Sequence, residues 1–484
     1  MNEERKTMSE KQFRPFRQRL QALIQAEKSH SLSRREFLGM AGAGASALAL
    51  RRFVPKINPQ SAKTIIVVGA GASGIAAARQ LHDAGHTVII LEARDRIGGR
   101  VWTDTRLANI PLDLGASWIH GIQDNPVWEL TQTYGITTHT TDYEDTITYS
   151  ANGDLLSANA FAQWEGLLDD LLTRTETIRA EAETDLPLRE AIDMALAQMD
   201  VDDEARHVIE ALLMAGIENE YANRLERLSA YYWDEADELA GDDVVFPGGY
   251  MAVFENLANG LDIRLNQVVT DIRYSPKGAT ITTTSEQFTA DMVVVTVPLG
   301  VLKAQTITFS PPLPQRKWDA INRLDMGALN KVYLHFREVF WSDDAQFFTI
   351  ADARARFVEW VNGYPITGKP VLMGFYSGRN QAMLEALSEA EIIAQALDVL
   401  SEIFDDVHSR FIEGIATRWG IDPFAYGSYS SYGVGASPDD REALSEPIGG
   451  VLYFAGEATR TDHPATVHGA VMSGYAVAQA ILAK

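Results

Sequence analysis

The sequence predicts an α/β protein, a Rossmann-like dinucleotide-binding domain interrupted by a mixed α+β second domain, and three observations carry that prediction. The first is Ile65-Ile66-Val67-Val68-Gly69-Ala70-Gly71-Ala72-Ser73-Gly74: an apolar strand, a tight turn and the start of a helix. Glycines there let the backbone approach a diphosphate, and the free N–H groups of the helix N-terminus stabilise its charge. The second is Glu92, which follows a further apolar run, Thr87 to Leu91. A carboxylate at that place accepts the two hydroxyls of an adenosine ribose. The third lies far downstream, where Phe454-Ala455-Gly456-Glu457 precedes a final helical stretch. The two ends of the chain are therefore expected to meet in one domain. GxGxxG alone fits nicotinamide and flavin alike; the added Gly98-Gly99-Arg100 and Gly456-Glu457 point to FAD.

Further runs carry a family resemblance. Leu91-Glu92-Ala93-Arg94-Asp95-Arg96-Ile97-Gly98-Gly99-Arg100 is one, and Leu112-Asp113-Leu114-Gly115-Ala116-Ser117-Trp118-Ile119-His120-Gly121 another. Asn330-Lys331-Val332, Thr417-Arg418-Trp419, Gly427-Ser428-Tyr429-Ser430 and Ala465-Thr466-Val467-His468-Gly469-Ala470 follow in order. Together they resemble the flavin-containing amine oxidase family, in the branch of the polyamine oxidases and the catalytic domain of lysine-specific histone demethylases. The resemblance runs from about residue 61 to the C-terminus and implies the amine oxidase type of fold.

Along the chain, residues 1–60 read as an address and a linker. Ser33-Arg34-Arg35-Glu36-Phe37-Leu38 resembles a twin-arginine export signal, followed by a Gly/Ala-rich run from Gly39 to Leu50 that is too short to anchor stably in a membrane. The expected partner is the twin-arginine export machinery, and the expected location is periplasmic. Residues 61–125, 241–304 and 416–484 are assigned to the FAD-binding domain. Residues 126–240 and 305–415 are assigned to the substrate-binding domain. The first insert has helical patterns over Ala160 to Arg179 and Leu188 to Met199. The second has an alternating strand from Lys331 to Phe336 and a helix-like stretch from Ala382 to Phe404. Met292 to Pro298 reads as a buried strand of the cofactor sheet, and the active site is expected between the domains.

Composition narrows the function. The chain has 484 residues and no cysteine, which excludes disulfides, thiolate metal sites and a cysteinyl-flavin link. Ser428 stands where some amine oxidases carry that cysteine, so FAD is expected to be held non-covalently. The net charge is −24. Residues 1–60 hold 12 Lys/Arg and 5 Asp/Glu, leaving a body of 30 basic and 61 acidic residues. Such a body repels nucleic acid and concentrates small cations around itself. No metal site is expected.

Gly69, Gly71 and Gly74 are read as shaping the turn, Ser73 as a phosphate contact and Glu92 as the ribose acceptor. The resemblance assigns Arg94 and Arg100 to the pyrophosphate and adenine side, and Val269, at mid-strand, to the adenine. It assigns Glu457 to the ribityl or phosphate groups and Val467 to the helix N-terminus that faces the flavin. Gly98, Gly99, Ser117, Trp118 and Gly456 fall in the matched motifs and are assigned to the cofactor with them.

For the chemistry, Lys331 resembles the family lysine that holds a water beside the flavin. A lysine in an apolar strand is costly to bury unless paired, and the alternative is a solvent-facing edge strand. Tyr429 matches one wall of an aromatic cage around the amine, with Thr466 at the opposite wall. Trp419 resembles a wall against the flavin, and His120 a cleft residue that touches the substrate. Asp142, Glu144, Asp145 and the run Asp234 to Glu238 are candidates for holding a distal ammonium of the substrate, although charges of this kind are usually solvated surface. The expected activity is amine oxidation, with a small cationic amine, in the first place a polyamine, and O2 as substrates. Two alternatives stay open: an L-amino-acid oxidase for basic amino acids such as arginine, and a flavin-binding protein without turnover. A chromatin demethylase is disfavoured by the export signal.

Overall fold

The computed structural model describes residues 61–484 apart from 144, 343 and 344. The twin-arginine motif falls on residues 1–60 and lies outside them. The strand Thr64–Val68 is the middle of a five-stranded parallel sheet. Thr87–Leu91 and Met292–Val295 flank it, with Asp262–Arg264 and Leu452–Phe454 outermost. Side chains on the central strand alternate between two cores: Ile65 and Val67 enter one, Ile66 and Val68 the other. A parallel sheet buried on both faces needs such a continuous apolar run.

At the end of that strand the backbone turns at Gly69, where φ is +108°. The helix Ala72–Ala84 then begins so close to the turn that a Cβ on Gly74 would lie 2.0 Å from the Gly69 carbonyl oxygen. Gly74 therefore serves helix packing, not the cofactor surface. The last helix, Val467–Leu482, packs on the first, and Ser73 and Ser473 meet there at 3.1 Å.

Val269 opens the strand Val269–Ser275 and does not sit at mid-strand as the sequence suggests. The register against its neighbour slips between Thr282 and Thr283, which ends the regular ladder at Val269.

A second sheet has six strands in the order Phe411–Ala416, Asn330–Phe336, Val371–Tyr376, Glu359–Asn362, Phe347–Ala351 and Thr146–Ser150. Val332, Leu334 and Phe336 fill the core on one face; Tyr333 belongs to the core on the other, with Leu112, Leu114 and Phe375. Lys331 is two residues from Tyr333 and shares its face. It lies on an interior strand and is 4% exposed, so the edge-strand alternative fails.

Beside this sheet stand the helices Ala158–Glu181, Leu188–Leu196 and Asp203–Leu213. The third runs into a π-turn, Met214–Glu218. The expected single helical stretch over 382–404 is two helices, Gly378–Glu385 and Glu389–Ser401. Ser388 and Glu391 close a capping box that starts the second one afresh. No helix among the described residues is long and apolar enough to cross a membrane.

Candidate active site

One cavity of about 990 Å³ runs from the glycine turn to the face of the second sheet that carries Lys331. Its cofactor end is built from the carboxyl ends of the parallel strands, the usual place for ligands in such sheets. Gly69, Gly71, Ser73, Gly98 and Gly99 line it there. Glu92, closing the second strand, accepts the Ala70 N–H at 2.7 Å with one oxygen and the Arg94 N–H at 2.9 Å with the other. Both bonds fix the carboxylate plane and leave lone pairs for ribose hydroxyls.

Arg94 lines the cavity too, but Asp422 holds its guanidinium with bonds of 3.0 and 2.6 Å. That carboxylate fixes the guanidinium at the cavity wall, a partner the sequence reading does not contain. Arg100 donates to the Ser428 carbonyl and the Glu457 carboxylate, each at 2.8 Å. The second oxygen of Glu457 accepts from Ser430 Oγ at 2.6 Å and from the Ala465 N–H at 3.1 Å. Burial pushes the Glu457 carboxyl up, yet Arg100 and Arg441 pull it further the other way and hold it below the usual range.

Gly456, Val467, Val269, Ser117 and Trp118 also line the cavity. A Cβ on Gly71 would have no atom nearer than 4.0 Å, and one on Gly456 would have none within 4 Å. These open positions, with the helix N-termini and the fixed Glu92, form a cradle that fits FAD.

At the other end, Lys331 Nζ donates to the carbonyls of Asp113 at 2.9 Å and Gly115 at 2.6 Å, and to Ser117 Oγ. The segment 113–117 thus wraps the ammonium. Burial brings the lysine down to about 7, and the Asp113 charge opposes this only in part. The same burial lifts Asp113 to about 6, against hydrogen bonds from Thr103 and the Tyr250 N–H and the charge of Lys331. Burial thus moves the two groups in opposite directions, the lysine down and the carboxyl up.

Tyr429 lines the cavity, and its hydroxyl reaches the carbonyls of Asn219 at 2.9 Å and Glu220 at 3.0 Å. Those carbonyls come directly after the π-turn, a feature that often marks functional sites. Trp419 is buried, donates from Nε1 to the Leu114 carbonyl at 3.0 Å, and meets Trp102 edge to face at 6.2 Å. The cap of Trp419 is Asn330, which accepts the Trp419 N–H at 2.6 Å.

Thr466 lines the cavity, but its Oγ1 accepts the Gly469 N–H at 2.9 Å and donates to the His463 carbonyl at 3.0 Å. It is the N-cap of the last helix as well as a cavity-lining residue, and the capping role is absent from the sequence reading. His120 sits at the mouth with its side chain 50% exposed, its Nδ1 2.7 Å from Asp243.

Part of the acidic run borders this cavity. Glu235, Asp237 and Glu238 line it, together with Asp142. Asp234 instead pairs with Arg179 at 2.8 Å, Asp145 accepts from Gln346, and 144 lies outside the described residues. Glu220, Asp242 and Asp243 add to the same wall and were missed. So was Arg441, because nothing in its sequence neighbourhood marks it as buried. Arg418, of the Thr417-Arg418-Trp419 motif, is exposed and donates to the Leu387 carbonyl.

Comparison with known proteins decides the family. The model of flavin-containing amine oxidoreductases matches residues 72–482. The chain belongs to the flavin-containing amine oxidoreductases. This amine oxidoreductase is 35% identical over 445 residues to polyamine oxidase 4 of Oryza sativa subsp. japonica, covering 88% of this chain and 90% of the relative. It is 36% identical over 450 residues to lysine-specific histone demethylase 1 homolog 2 of Arabidopsis thaliana, covering 89% of this chain and 60% of that longer protein. A putrescine oxidase structure shares the fold, with a TM-score of 0.71 at 22% identity over 87% of this chain and 99% of the other. The amine oxidoreductase is a flavin-dependent enzyme acting on amines, and its cofactor is FAD.

Proposed function

We propose that the enzyme oxidises polyamines, with O2 as the electron acceptor. The observation that carries this reading is the acidic mouth, Glu235, Asp237, Asp242 and Asp243, on the same cavity as Lys331 and Tyr429. A polyamine has one amine to be oxidised and further ammonium groups to be placed, and carboxylates at a distance from the reacting carbon suit the latter. FAD, when bound, accepts the hydride equivalent from the carbon beside the amine nitrogen. Overall, a C–N bond is converted with O2 and water into an aldehyde, a shorter amine and H2O2.

The protein's own part is positioning and exclusion of water. Tyr429, fixed by the Asn219 and Glu220 carbonyls, offers a ring to the amine. Lys331, held by the 113–117 segment, offers an ordered polar point on the cavity wall. The plant polyamine oxidase relative supports the substrate class. An amino-acid oxidase would need a cation for the substrate carboxylate. The arginines on the described cavity wall, Arg94, Arg100 and Arg441, stand at the cofactor end and are bonded there. Export of the folded holoenzyme belongs to the same proposal and rests on Ser33 to Leu38 alone.

The test is anaerobic bleaching of the bound flavin by putrescine, spermidine or spermine, run beside L-arginine and an N-methylated lysine peptide. Rapid bleaching by a polyamine alone is expected. Bleaching by arginine alone or by the peptide alone would overturn the substrate class.

A further inference from the structure

Arg441 is the least expected charge in the molecule. It is 1% exposed, yet it lines the cavity. Its Nη1 donates to Ser430 Oγ at 2.8 Å and to the Ala458 carbonyl at 3.2 Å, and its guanidinium lies 4.4 Å above the Tyr432 ring. Its buried Nε has no hydrogen-bond partner. A buried guanidinium with an unmet donor is costly, and proteins keep one where an anion completes it.

The local charge count points the same way. Arg100 and Arg441 close on a single carboxylate, Glu457; Arg100 touches it directly and Arg441 reaches it through Ser430. The adjacent Asp440 is already engaged by Arg323 and by the Ser437 N–H that starts its helix. Arg441 itself thus bonds to a hydroxyl and a carbonyl and not directly to a carboxylate, on a cavity that Gly456 and Glu457 also line. Arg94, by contrast, pairs directly with Asp422.

We propose that Arg441 is a cofactor-binding residue that supplies the positive charge for the diphosphate of FAD. The inference rests on the FAD assignment and adds a residue to it that the family motifs do not contain. The Ser430–Glu457–Arg100 chain holds Arg441 in place, so binding needs no rearrangement of a long, flexible side chain.

The experiment compares the purified holoenzyme with Arg441→Gln and Arg441→Lys. Gln carries no charge and is too short to reach the partners of Nη1, whereas Lys keeps the charge on a longer stem. Release of FAD on dilution, followed by the return of flavin fluorescence, gives the dissociation constant. Arg441→Gln is expected to weaken FAD by about ten- to a hundredfold, the range for a lost charge-assisted hydrogen bond, while Arg441→Lys stays within about tenfold of the parent. A folded Gln variant that holds FAD as tightly as the parent overturns the proposal and leaves the FAD assignment standing. Equal weakening in both variants, with equal loss of melting temperature after FAD removal, also overturns it, because that pattern marks a packing role. If Arg441→Gln does not fold, the phosphorus NMR of FAD bound to Arg441→Lys decides. Shifted diphosphate resonances support the contact, and unchanged resonances refute it.

Discussion

Lys331 Nζ donates a 2.6 Å hydrogen bond to the carbonyl of Gly115, so a strand of the second sheet is tied to a segment that leaves the cofactor domain. A Cβ on Gly115 would lie 1.9 Å from the Arg100 carbonyl oxygen, which fixes that segment against the glycine-arginine turn. The ammonium is therefore placed by the backbone of the cofactor side, although its own chain belongs to the other sheet. Movement of either part alters its position.

Replacing Lys331 with Met removes the group but keeps the length of the side chain. FAD content is expected to stay at the parental level, while peroxide production with a polyamine falls by about a hundredfold or more, as for loss of one positioned polar group in a dry site. Flavin absorbance and a peroxidase-coupled assay measure the two quantities. Unchanged peroxide production would remove Lys331 from the mechanism.

The same residue sets a pH dependence of stability. Its folded value, about 7, lies below its ordinary value of 10.5. Between these limits the unfolded chain binds a proton that the folded protein does not, so stability rises with pH across that window. Asp113 acts oppositely between its ordinary 3.8 and about 6, where the folded form holds the extra proton and stability falls as pH rises. The rise above about 7 is expected to become shallower in Lys331→Met but not to vanish, because burial also brings Lys317 down to about 7 and that lysine keeps its share. Melting temperatures of the two proteins from pH 7 to 10 check this; parallel curves would show that burial does not shift the lysine.

Tyr429→Phe leaves the ring and deletes the hydroxyl shared by Asn219 and Glu220. Loss of one such bond costs about 1 kcal/mol, equivalent to about fivefold in binding. The Michaelis constant for the amine is expected to rise by about that factor with FAD content unchanged. A Michaelis constant equal to the parent's would mean that the ring is held by its packing alone.

Thr466→Val keeps the shape of the side chain and removes the oxygen that caps the last helix. The loss is expected to be about 1 kcal/mol, measurable in denaturant unfolding, whereas Thr466→Ser keeps the cap. In the cage role that the family resemblance implies for it, Thr466→Tyr is expected to favour small primary amines and to lose the cap as well. Equal stability of the Val and Ser variants would deny the capping role.

Neutralising the mouth tests the electrostatic part of the substrate reading. Asp237→Asn combined with Asp242→Asn is expected to lower kcat/KM for spermidine about three- to tenfold at low salt and to flatten its ionic-strength dependence. A salt profile identical to that of the parent would leave the acidic wall without a role in recruiting the substrate.

The chain's local patterns were enough to locate the glycine turn, the carboxylate after the second strand and the lysine in an apolar strand. Each of these is a short-range signal: φ at Gly69, the end of an apolar run at Glu92, a charge out of pattern at Lys331. Where the signal depends on partners, the sequence said less. Nothing near Arg94 in the chain announces Asp422, the carboxylate from a distant segment that pairs with it. Which members of the acidic run border the cavity was not legible, because sequence alone cannot say which cavity a loop overhangs.

What the sequence determined by itself is the cofactor scaffold, since strand periodicity, glycine geometry and helix starts are dictated by neighbours within a few residues. What only the tertiary structure decided is the state of each charge. Whether Lys331 is wrapped by carbonyls or Arg94 paired with a carboxylate depends on residues brought together from hundreds of positions apart. Burial and pairing then fix what each group can do.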